Sequence, residues 1–430
     1  MCGAICEPLE SRRLLSVVVE VTAKKAAAYE GGPRTRFLYI RRSGDTSAPL
    51  SVFYIVGGKA KQGLDYNEIG TGVTIKAGTW LRRIEVTAID DAIPEKTESV
   101  TLTLTSAPQY SIDPSKSAAT IRIINDDRAT GNTITWTTKA PDPIIRAEAL
   151  RAVVDNKLYV FGGFEGDAGP VVTSDVYDPA ANKWTAIKDL PYRLTHAGII
   201  AVGHDIYFAG GYIGIGATGY NQQFGTTNVF KYNIDTNTYT NVVSLPKAVS
   251  AGGLVLLNNE LHYVGGNNNS RQDIGDHYVL DLGNIAAGWK TATSLPHGRS
   301  HFGLVTLNGK IYAVGGQFGN DEASVTQNYV EVWDPANPGT WTELAPLPTK
   351  ISHFASSVVV YENRIITLGG ETAFNDDTDL VYAYDPETNS WAAMTRLPGT
   401  RFSGVAGVLD GNIYFTTGSS LTTTWEGVVS

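Results

Sequence analysis

Acidic side chains cluster in the first part of the chain. Asp90 and Asp91 are followed by Glu95 and Glu98, so four carboxylates fall within nine residues. Carboxylates this close repel one another unless water or a cation neutralises them. A calcium ion takes about six to eight hard oxygen ligands, and this density of carboxylates could supply them. The cluster therefore predicts a calcium site, with solvated acidic loops as the alternative.

A second set of polar residues recurs at matching places later in the chain. His196, His301 and His353 occur in the segments LTHAG, RSHFG and ISHFA. The matching positions of other copies hold Glu148, Ala251 and Ser403, and an arginine stands two residues earlier in three copies. The arginines could hold a carboxylate in bidentate fashion, and Glu148 with a histidine could act as acid and base. The candidate ligand-binding residues are Arg146, Glu148, His196, Arg299, His301, His353 and Arg401.

Only two cysteines are present, Cys2 and Cys6. A cysteine nucleophile or a cysteine-rich zinc site is therefore excluded from the rest of the chain. The pair is either reduced in a terminal segment or forms a disulfide, within the chain or to a neighbour. The second alternative predicts self-assembly through the N-terminal segment.

The elements that must position these residues are strands. Residues 17–127 contain seven short β-branched runs separated by turn signals, which predicts an antiparallel sandwich. After residue 131, glycine doublets end apolar runs about every 50 residues. Each doublet is followed by an aromatic residue with Asp or Asn, then usually a Trp, then Leu-Pro. The doublets begin at Gly162, Gly210, Gly265, Gly315 and Gly369, with a degraded copy at Thr417.

This repeat resembles the kelch motif, in which each copy forms one four-stranded blade of a β-propeller. Five full copies and one partial copy imply six blades, closed by pairing residues 132–138 with the C-terminal strands near Trp425. The repeated polar positions then begin the innermost strands and gather at one mouth of the channel. Packing and capping of the channel is the alternative role for them. A three-histidine metal site is disfavoured, because the blades concerned are not all adjacent.

Residues 17–127 resemble a Calx-beta domain, the sandwich of sodium–calcium exchangers and integrin β4. The resemblance runs through YEGG, GLDYN, IDDAIPEKTES and IRIINDD. Asn125 departs from it, because strong calcium binders carry an aspartate there. The resemblance implies a Ca²⁺ site formed by Glu30, Asp65, Asp90, Asp91, the Ile93 carbonyl, Glu95, Glu98, Asp126 and Asp127.

Composition excludes several classes of protein. Only 18% of the 430 residues are charged, and the net charge is −9. We therefore expect no nucleic-acid partner, since a general nucleic-acid binder is basic. The longest apolar run near the start, Leu14 to Val19, is too short to span a membrane. The segment EPLESRRLLS, residues 7–16, resembles a short leader motif of exported bacterial proteins.

The sequence thus predicts an all-β protein, with an immunoglobulin-like sandwich followed by a six-bladed propeller. The domains are a leader or extension at 1–16, the sandwich at 17–127, a linker at 128–131 and the propeller at 132–430. We expect an extracellular or cell-surface, calcium-binding protein that is not an enzyme. Its propeller would bind a protein or a glycan. The alternative is a carbohydrate-active enzyme, similar to a sugar epimerase, that uses the channel mouth.

Overall fold

The computed structural model describes residues 17–24, 26–32, 34–90, 97–124, 131–166, 169–216, 219 and 221–430. The chain forms two compact units, Met1–Arg128 and Ala129–Ser430. Several predicted features lie outside the described residues. They are the leader-like segment, Cys2 and Cys6, and the calcium candidates Asp91, Ile93, Glu95, Asp126 and Asp127.

The first unit is a sandwich of two sheets. One sheet has the strand order Leu81–Thr87, Thr35–Ser43, Val18–Lys24 and Ser111–Ile112. The other has the order Ala27–Tyr29, Ala118–Ile124, Glu98–Leu104, Leu50–Gly57 and Gly72–Ile75. Buried and exposed residues alternate along Leu50–Gly57. One face of such a strand enters the core between the sheets and the other faces water.

The second unit is a propeller with six four-stranded blades in the described residues. We number the blades one to six in chain order and give the strands of each from the channel outward. Blade one is Leu150–Val154, Lys157–Phe161, Ser174–Asp178 and Lys183–Ala186. Blade two is Gly198–Val202, Asp205–Ala209, Val229–Asn233 and Thr238–Asn241. Blade three is Gly253–Leu257, Glu260–Val264, His277–Asp281 and Lys290–Thr291.

Blades four to six repeat this order. Blade four is Gly303–Leu307, Lys310–Val314, Val330–Trp333 and Trp341–Glu343. Blade five is Val358–Tyr361, Arg364–Leu368, Val381–Asp385 and Ser390–Ala393. Blade six is Val405–Leu409, Asn412–Thr416, Thr424–Val429 and Ile134–Lys139.

The blades form a closed ring. The first strand of each blade packs beside the first strands of both neighbouring blades, and blade six meets blade one in the same way. Blade six is built from both ends of the unit, because Ile134–Lys139 pairs antiparallel with Thr424–Val429. This pairing covers a sheet edge that would otherwise be open to other chains.

In blades one to five, an aromatic residue in or next to the fourth strand hydrogen-bonds to the connection from the preceding blade. Trp184 of blade one donates its indole N–H to the carbonyl of Ala140, 3.0 Å away, at the end of the outer strand of blade six. The indoles of Trp289, Trp341 and Trp391 donate in the same way to the connections from the preceding blades. Tyr239 replaces the tryptophan of blade two, and its hydroxyl donates to the Lys188 carbonyl at 2.9 Å. The repeated aromatic residue therefore adds a directed hydrogen bond to its packing.

The glycine doublet is required by the close approach of backbone carbonyls from the next blade and from its own blade. Gly162 and Gly163 of blade one have φ of 56° and 88°. A Cβ on Gly162 would lie 2.3 Å from the Leu194 carbonyl oxygen, and one on Gly163 would lie 2.7 Å from that of Ala147. Only glycine fits such positions without moving the backbone.

Candidate functional site at the mouth of the channel

Six equivalent residues, one from each blade, form what we call the inner ring. Each precedes the first strand of its blade and has φ between 52° and 57°. Successive members are joined through the backbone, since the Ala251 N–H donates to His196 O at 2.7 Å and the His301 N–H to Ala251 O at 3.1 Å. Ala251 has the same left-handed conformation as the polar members of the inner ring. This conformation is therefore a feature of every repeat and does not by itself mark a ligand site. The inner ring is Glu148, His196, Ala251, His301, His353 and Ser403.

A second ring follows the glycine doublets. Its members pair with the residue that precedes the inner-ring residue of the same blade, as Tyr212 pairs with Thr195 and Glu371 with Ser352. Each blade therefore brings two side chains to the mouth, one at the start of its first strand and one after its second strand. The second ring is Phe164, Tyr212, Asn267, Gln317, Glu371 and Ser419.

Four inner-ring side chains meet across the channel. The Nε2 atoms of His196 and His301 are 3.0 Å apart, although the two residues belong to blades two and four. The Glu148 carboxylate lies 3.8 Å from His196 Nε2 and 3.9 Å from His353 Nε2. Blade three contributes only Ala251 between His196 and His301, so the side chains of non-adjacent blades reach each other. The separation of the blades therefore does not keep these two histidines apart, while the prediction about a three-histidine metal site stays a prediction.

A hydroxyl group holds each histidine of this cluster. Nδ1 of His196 lies 3.1 Å from Thr195 Oγ1, Nδ1 of His301 lies 3.1 Å from Ser300 Oγ, and Nδ1 of His353 lies 3.0 Å from Ser352 Oγ. The hydroxyl always belongs to the preceding residue. These contacts fix the rings with Nε2 toward the centre of the cluster.

Burial and charge give the histidines different proton affinities. Burial lowers the pKa of His196 to about 4 and lowers that of His301 well below its ordinary value. Burial acts on His353 in the same direction, but a hydrogen bond donated to Glu371 and the charge of Glu148 outweigh it and raise its pKa. Two neutral imidazoles therefore lie beside one imidazole that readily carries a proton.

The cluster lies in the wall of a cavity of about 490 Å³. Arg271 forms a bidentate ion pair with Asp321 at 2.7 and 2.9 Å, and its guanidinium lies 4.7 Å from the ring centre of Phe224. Gln317 is 1% exposed, and its Oε1 has no hydrogen-bond partner within the described residues. The cavity thus combines aromatic walls with polar atoms that a ligand could satisfy. Aromatic side chains line it from several blades: Phe164, Tyr212, Phe224, Phe374 and Phe402.

The arginines of the sequence prediction do not serve this cavity. Arg146 is completely buried and its guanidinium pairs with Asp142 and Asp175 of its own blade. Arg299 is also completely buried and pairs with Glu331. Arg401 donates to the Thr400 carbonyl and stacks on Trp425, 4.5 Å from its ring. Arg146 and Arg299 use their donors inside the blades and Arg401 packs on Trp425, so we assign all three to packing.

The described calcium candidates of the sandwich fall into two pairs. The Glu30 N–H donates to Ile124 O at 3.0 Å, and Glu98 stands opposite Ile123, so both residues flank the end of Ala118–Ile124. The Ile89 N–H donates to Asp65 O at 3.0 Å, which places Asp65 beside Asp90. Asp90 also forms an ion pair with Arg34. Glu30 and Asp65 are only 2% and 7% exposed, and buried carboxylates suit a hard cation.

Sequence reasoning missed the second ring and Arg271. The position directly after each doublet identifies the second ring, and the pairs Thr195-His196, Ser300-His301 and Ser352-His353 identify the hydroxyl partners. Arg271 lies in a loop of blade three without an equivalent in the other copies. Its role depends on Asp321, fifty residues later, so no local signal marks it.

Comparisons with known proteins agree with this architecture. The family model for the KLHDC2/KLHL20/DRC7 Kelch-repeats domain matches residues 195–418, which is more than half of the chain. The Kelch motif matches residues 146–191, and the Calx-beta domain matches residues 16–127. The solved structure of YjhT aligns with a TM-score of 0.55 and 16% identity over 68% of this chain and 96% of that one, which supports the fold.

Three curated relatives show the extent of the similarity. A kelch repeat-containing protein of Arabidopsis thaliana is 26% identical over 306 residues, covering 66% of this chain and 70% of that protein. The kelch-like protein terF of Aspergillus terreus is 28% identical over 55% of this chain and 52% of its own length. Kelch-like protein 21 of Bos taurus is 25% identical over 57% and 44%.

The chain therefore spans about half the length of the last two relatives. No helix in the described part of the chain has the length and apolar character needed to cross a bilayer. The propeller, its repeats and the preceding sandwich show that the chain belongs to the kelch-repeat family and carries a Calx-beta domain before its propeller.

Proposed function

We propose that the protein is an extracellular interaction module whose propeller holds a segment of a partner protein at the channel mouth. In the same proposal, the Calx-beta domain is a spacer that binds calcium. Kelch repeats and a Calx-beta domain together indicate a protein-interaction module. The proposal depends above all on the mouth cavity of about 490 Å³, whose walls come from loops of different blades.

The lining of the cavity indicates the chemistry of the partner. Phe374 is 42% exposed and lies at the cavity with Phe224, so two aromatic rings present apolar surface there. Rings of this kind are typical anchors of protein interfaces. The Arg271–Asp321 pair adds charged donors and acceptors for a backbone. We expect an extended segment that inserts an apolar side chain between the rings.

Peptide binding tests this role. A library of random twelve-residue peptides is selected on the full chain, and the enriched peptides are titrated by fluorescence anisotropy. We expect Phe224→Ala and Phe374→Ala to weaken binding at least tenfold, because each removes apolar surface from the anchor pocket. Val428→Ala is the matched control, since Val428 is 38% exposed but lies on Thr424–Val429, an outer strand of blade six. Its affinity should equal that of the wild type.

Two outcomes would contradict the proposal. Equal affinity of the enriched peptides for the wild type and both phenylalanine variants would remove the mouth cavity as the site. Glycan binding on an array that is lost in Phe224→Ala and Phe374→Ala, together with no peptide binding, would show that the partner is a glycan and not a protein. Arg146 and Arg299 are buried in ion pairs, so they cannot clamp a substrate carboxylate as the sugar-epimerase alternative requires.

The calcium part of the proposal is supported by the donor set. The buried carboxylates of Glu30 and Asp65 are hard oxygen ligands, with Glu98 near Glu30 and Asp90 near Asp65. The chemistry of these four residues fits Ca²⁺, and the other predicted ligands lie outside the described residues. An extracellular setting suits such a module, because extracellular calcium sites work at roughly 0.1–1 mM.

Calcium is expected to raise the melting temperature of the Calx-beta domain by several degrees relative to EDTA, because it binds the folded form. Scanning calorimetry of the full chain measures this shift, and titration calorimetry measures the heat of binding. The variant Glu30→Gln/Asp65→Asn keeps the side-chain sizes and should lose the calcium response. An unchanged midpoint with no heat of binding would refute the calcium site.

A further inference from the structure

We propose that Glu148, His196 and His301 form a binding site for a divalent transition metal ion such as Zn²⁺ in the wall of the mouth cavity. One ligand atom from each of these residues lies within 4.8 Å of the others. The set mixes imidazole nitrogen and carboxylate oxygen, which suits zinc better than calcium or magnesium. The zinc site does not depend on the protein partner proposed above.

The spacing of the nitrogens matches a shared ion. Zinc–imidazole bonds are about 2.0–2.1 Å long, so two such ligands in tetrahedral geometry lie about 3.3 Å apart. The Nε2 atoms of His196 and His301 are separated by 3.0 Å. A small movement of either ring therefore gives coordination distances. Glu148 lies 3.8 Å from His196 Nε2 and supplies a negative charge on the same side.

Two neighbouring hydroxyl groups orient the imidazole nitrogens of His196 and His301 for metal binding. Thr195 Oγ1 and Ser300 Oγ lie 3.1 Å from the Nδ1 atoms of His196 and His301. When Nδ1 donates to its hydroxyl, both Nε2 atoms carry lone pairs and face each other, an arrangement that a shared cation stabilises. Contacts of this kind to the second ring nitrogen orient most metal-binding histidines.

The site opens into the mouth cavity. Three protein ligands leave one position of a tetrahedral zinc ion for a ligand from the cavity. His353 lies next to this position, since its ring centre is 4.4 Å from that of His301 and its Nδ1 is 3.1 Å from Glu371 Oε2. The site would therefore lie beside the His353–Glu371 pair.

Titration calorimetry with ZnCl₂ on the EDTA-treated full chain tests the site. A Cys2→Ser/Cys6→Ser background removes competing thiolates, and excess Ca²⁺ occupies any hard-cation site. We expect one zinc ion per chain in this background. His196→Ala and His301→Ala should each weaken zinc binding at least tenfold. Glu148→Gln, which preserves size, should weaken it as well, and circular dichroism checks that each variant is folded.

The control is a surface histidine. His204 lies 2.7 Å from Asp235 and 3.1 Å from Asp155, so it is an exposed histidine with carboxylates beside it. His204→Ala should leave zinc binding unchanged. Co²⁺ gives a second readout, because tetrahedral Co²⁺ bound to histidine absorbs strongly in the visible range, and His301→Ala should abolish that band.

Three results would overturn the metal site. The first is that the wild-type site gives neither heat of zinc binding nor a Co²⁺ band. The second is that His196→Ala and His301→Ala bind zinc as tightly as the wild type. The third is that His204→Ala loses the zinc ion. Failure of zinc binding would leave the peptide experiment unaffected, since that experiment relies on Phe224 and Phe374. The two proposals can therefore fail separately.

Discussion

Replacing Arg299 with leucine is expected to destabilise the propeller by about 3–5 kcal/mol, because it leaves a buried carboxylate without its cation. Arg299 and Glu331 are completely and almost completely buried, and they form an ion pair inside blade four. The guanidinium also donates to the carbonyls of Gly315 at 2.6 Å and Ala313 at 3.1 Å. One side chain thus neutralises a charge and satisfies the backbone at the glycine doublet.

A second substitution separates these two contributions. Arg299→Leu/Glu331→Leu should recover at least half of the lost stability, since the unpaired charge is gone. The carbonyls of Gly315 and Ala313 still lack their donor, so recovery should be incomplete. A loss smaller than about 1 kcal/mol in the single variant would show that the pair is not important for stability.

Arg396→Ala is the matched control for charge removal. Its side chain is 64% exposed, and it pairs with Asp379 at 2.7 Å at the surface. Pairs of this kind contribute less than about 1 kcal/mol. Urea unfolding followed by tryptophan fluorescence measures all three variants. Seven of the eight tryptophans follow residue 131, so the signal reports mainly on the propeller.

Acid is expected to destabilise the propeller through two other buried histidines. His262 Nδ1 and His277 Nε2 lie 2.9 Å apart, and both rings pack against Trp333 at 5.3 Å. Nδ1 of His277 faces Thr293 O at 3.1 Å, and the nearest carboxylate to His262 is that of Glu260, 3.9 Å from Nε2. Burial, together with the neighbouring imidazole for His262, lowers the pKa of His262 to about 3 and that of His277 to about 4.

The direction of this pH dependence follows from proton binding by the folded and unfolded chains. Below the ordinary histidine pKa of about 6.5, the unfolded chain binds protons that the folded chain excludes. Stability from these groups is complete above pH 6.5 and is lost as the pH falls toward 4. At about 1.4 kcal/mol per pKa unit, the loss at pH 4 is on the order of 3 kcal/mol for either histidine alone. His196 and His301 act in the same direction.

Urea unfolding at pH 7.5, 5.5 and 4 measures this dependence. The variant His262→Leu/His277→Leu should show a flatter fall in the free energy of unfolding between pH 6.5 and 4. Part of the fall should persist, because His196 and His301 remain. A slope equal to that of the wild type would mean that the His262–His277 pair does not titrate as its burial requires.

The residues predicted at the channel mouth differ from those that the structure places there. The repeat spacing was sufficient to identify Glu148, His196, His301 and His353 as equivalent residues at one mouth. It could not tell them from Arg146 and Arg299, since all six belong to the same repeated motif. The two sets differ in where their side chains point, because Arg146 and Arg299 turn into their blades toward Asp175 and Glu331. Side-chain direction depends on contacts with residues about 30 positions away.

Local sequence patterns were enough to predict the two β domains, the six blades, the acidic cluster of the first domain and the polar residues of the channel mouth. Strand alternation, glycine doublets and repeated aromatic residues are local patterns, so short stretches of the chain specify them. The sequence did not reveal that His196 meets His301 across Ala251, that Arg271 pairs with Asp321, or that Arg146 and Arg299 are buried in ion pairs. These contacts arise when the ring closes, because closure brings together residues that are distant in sequence. Burial at those contacts then sets which side chains are charged and which can bind a ligand.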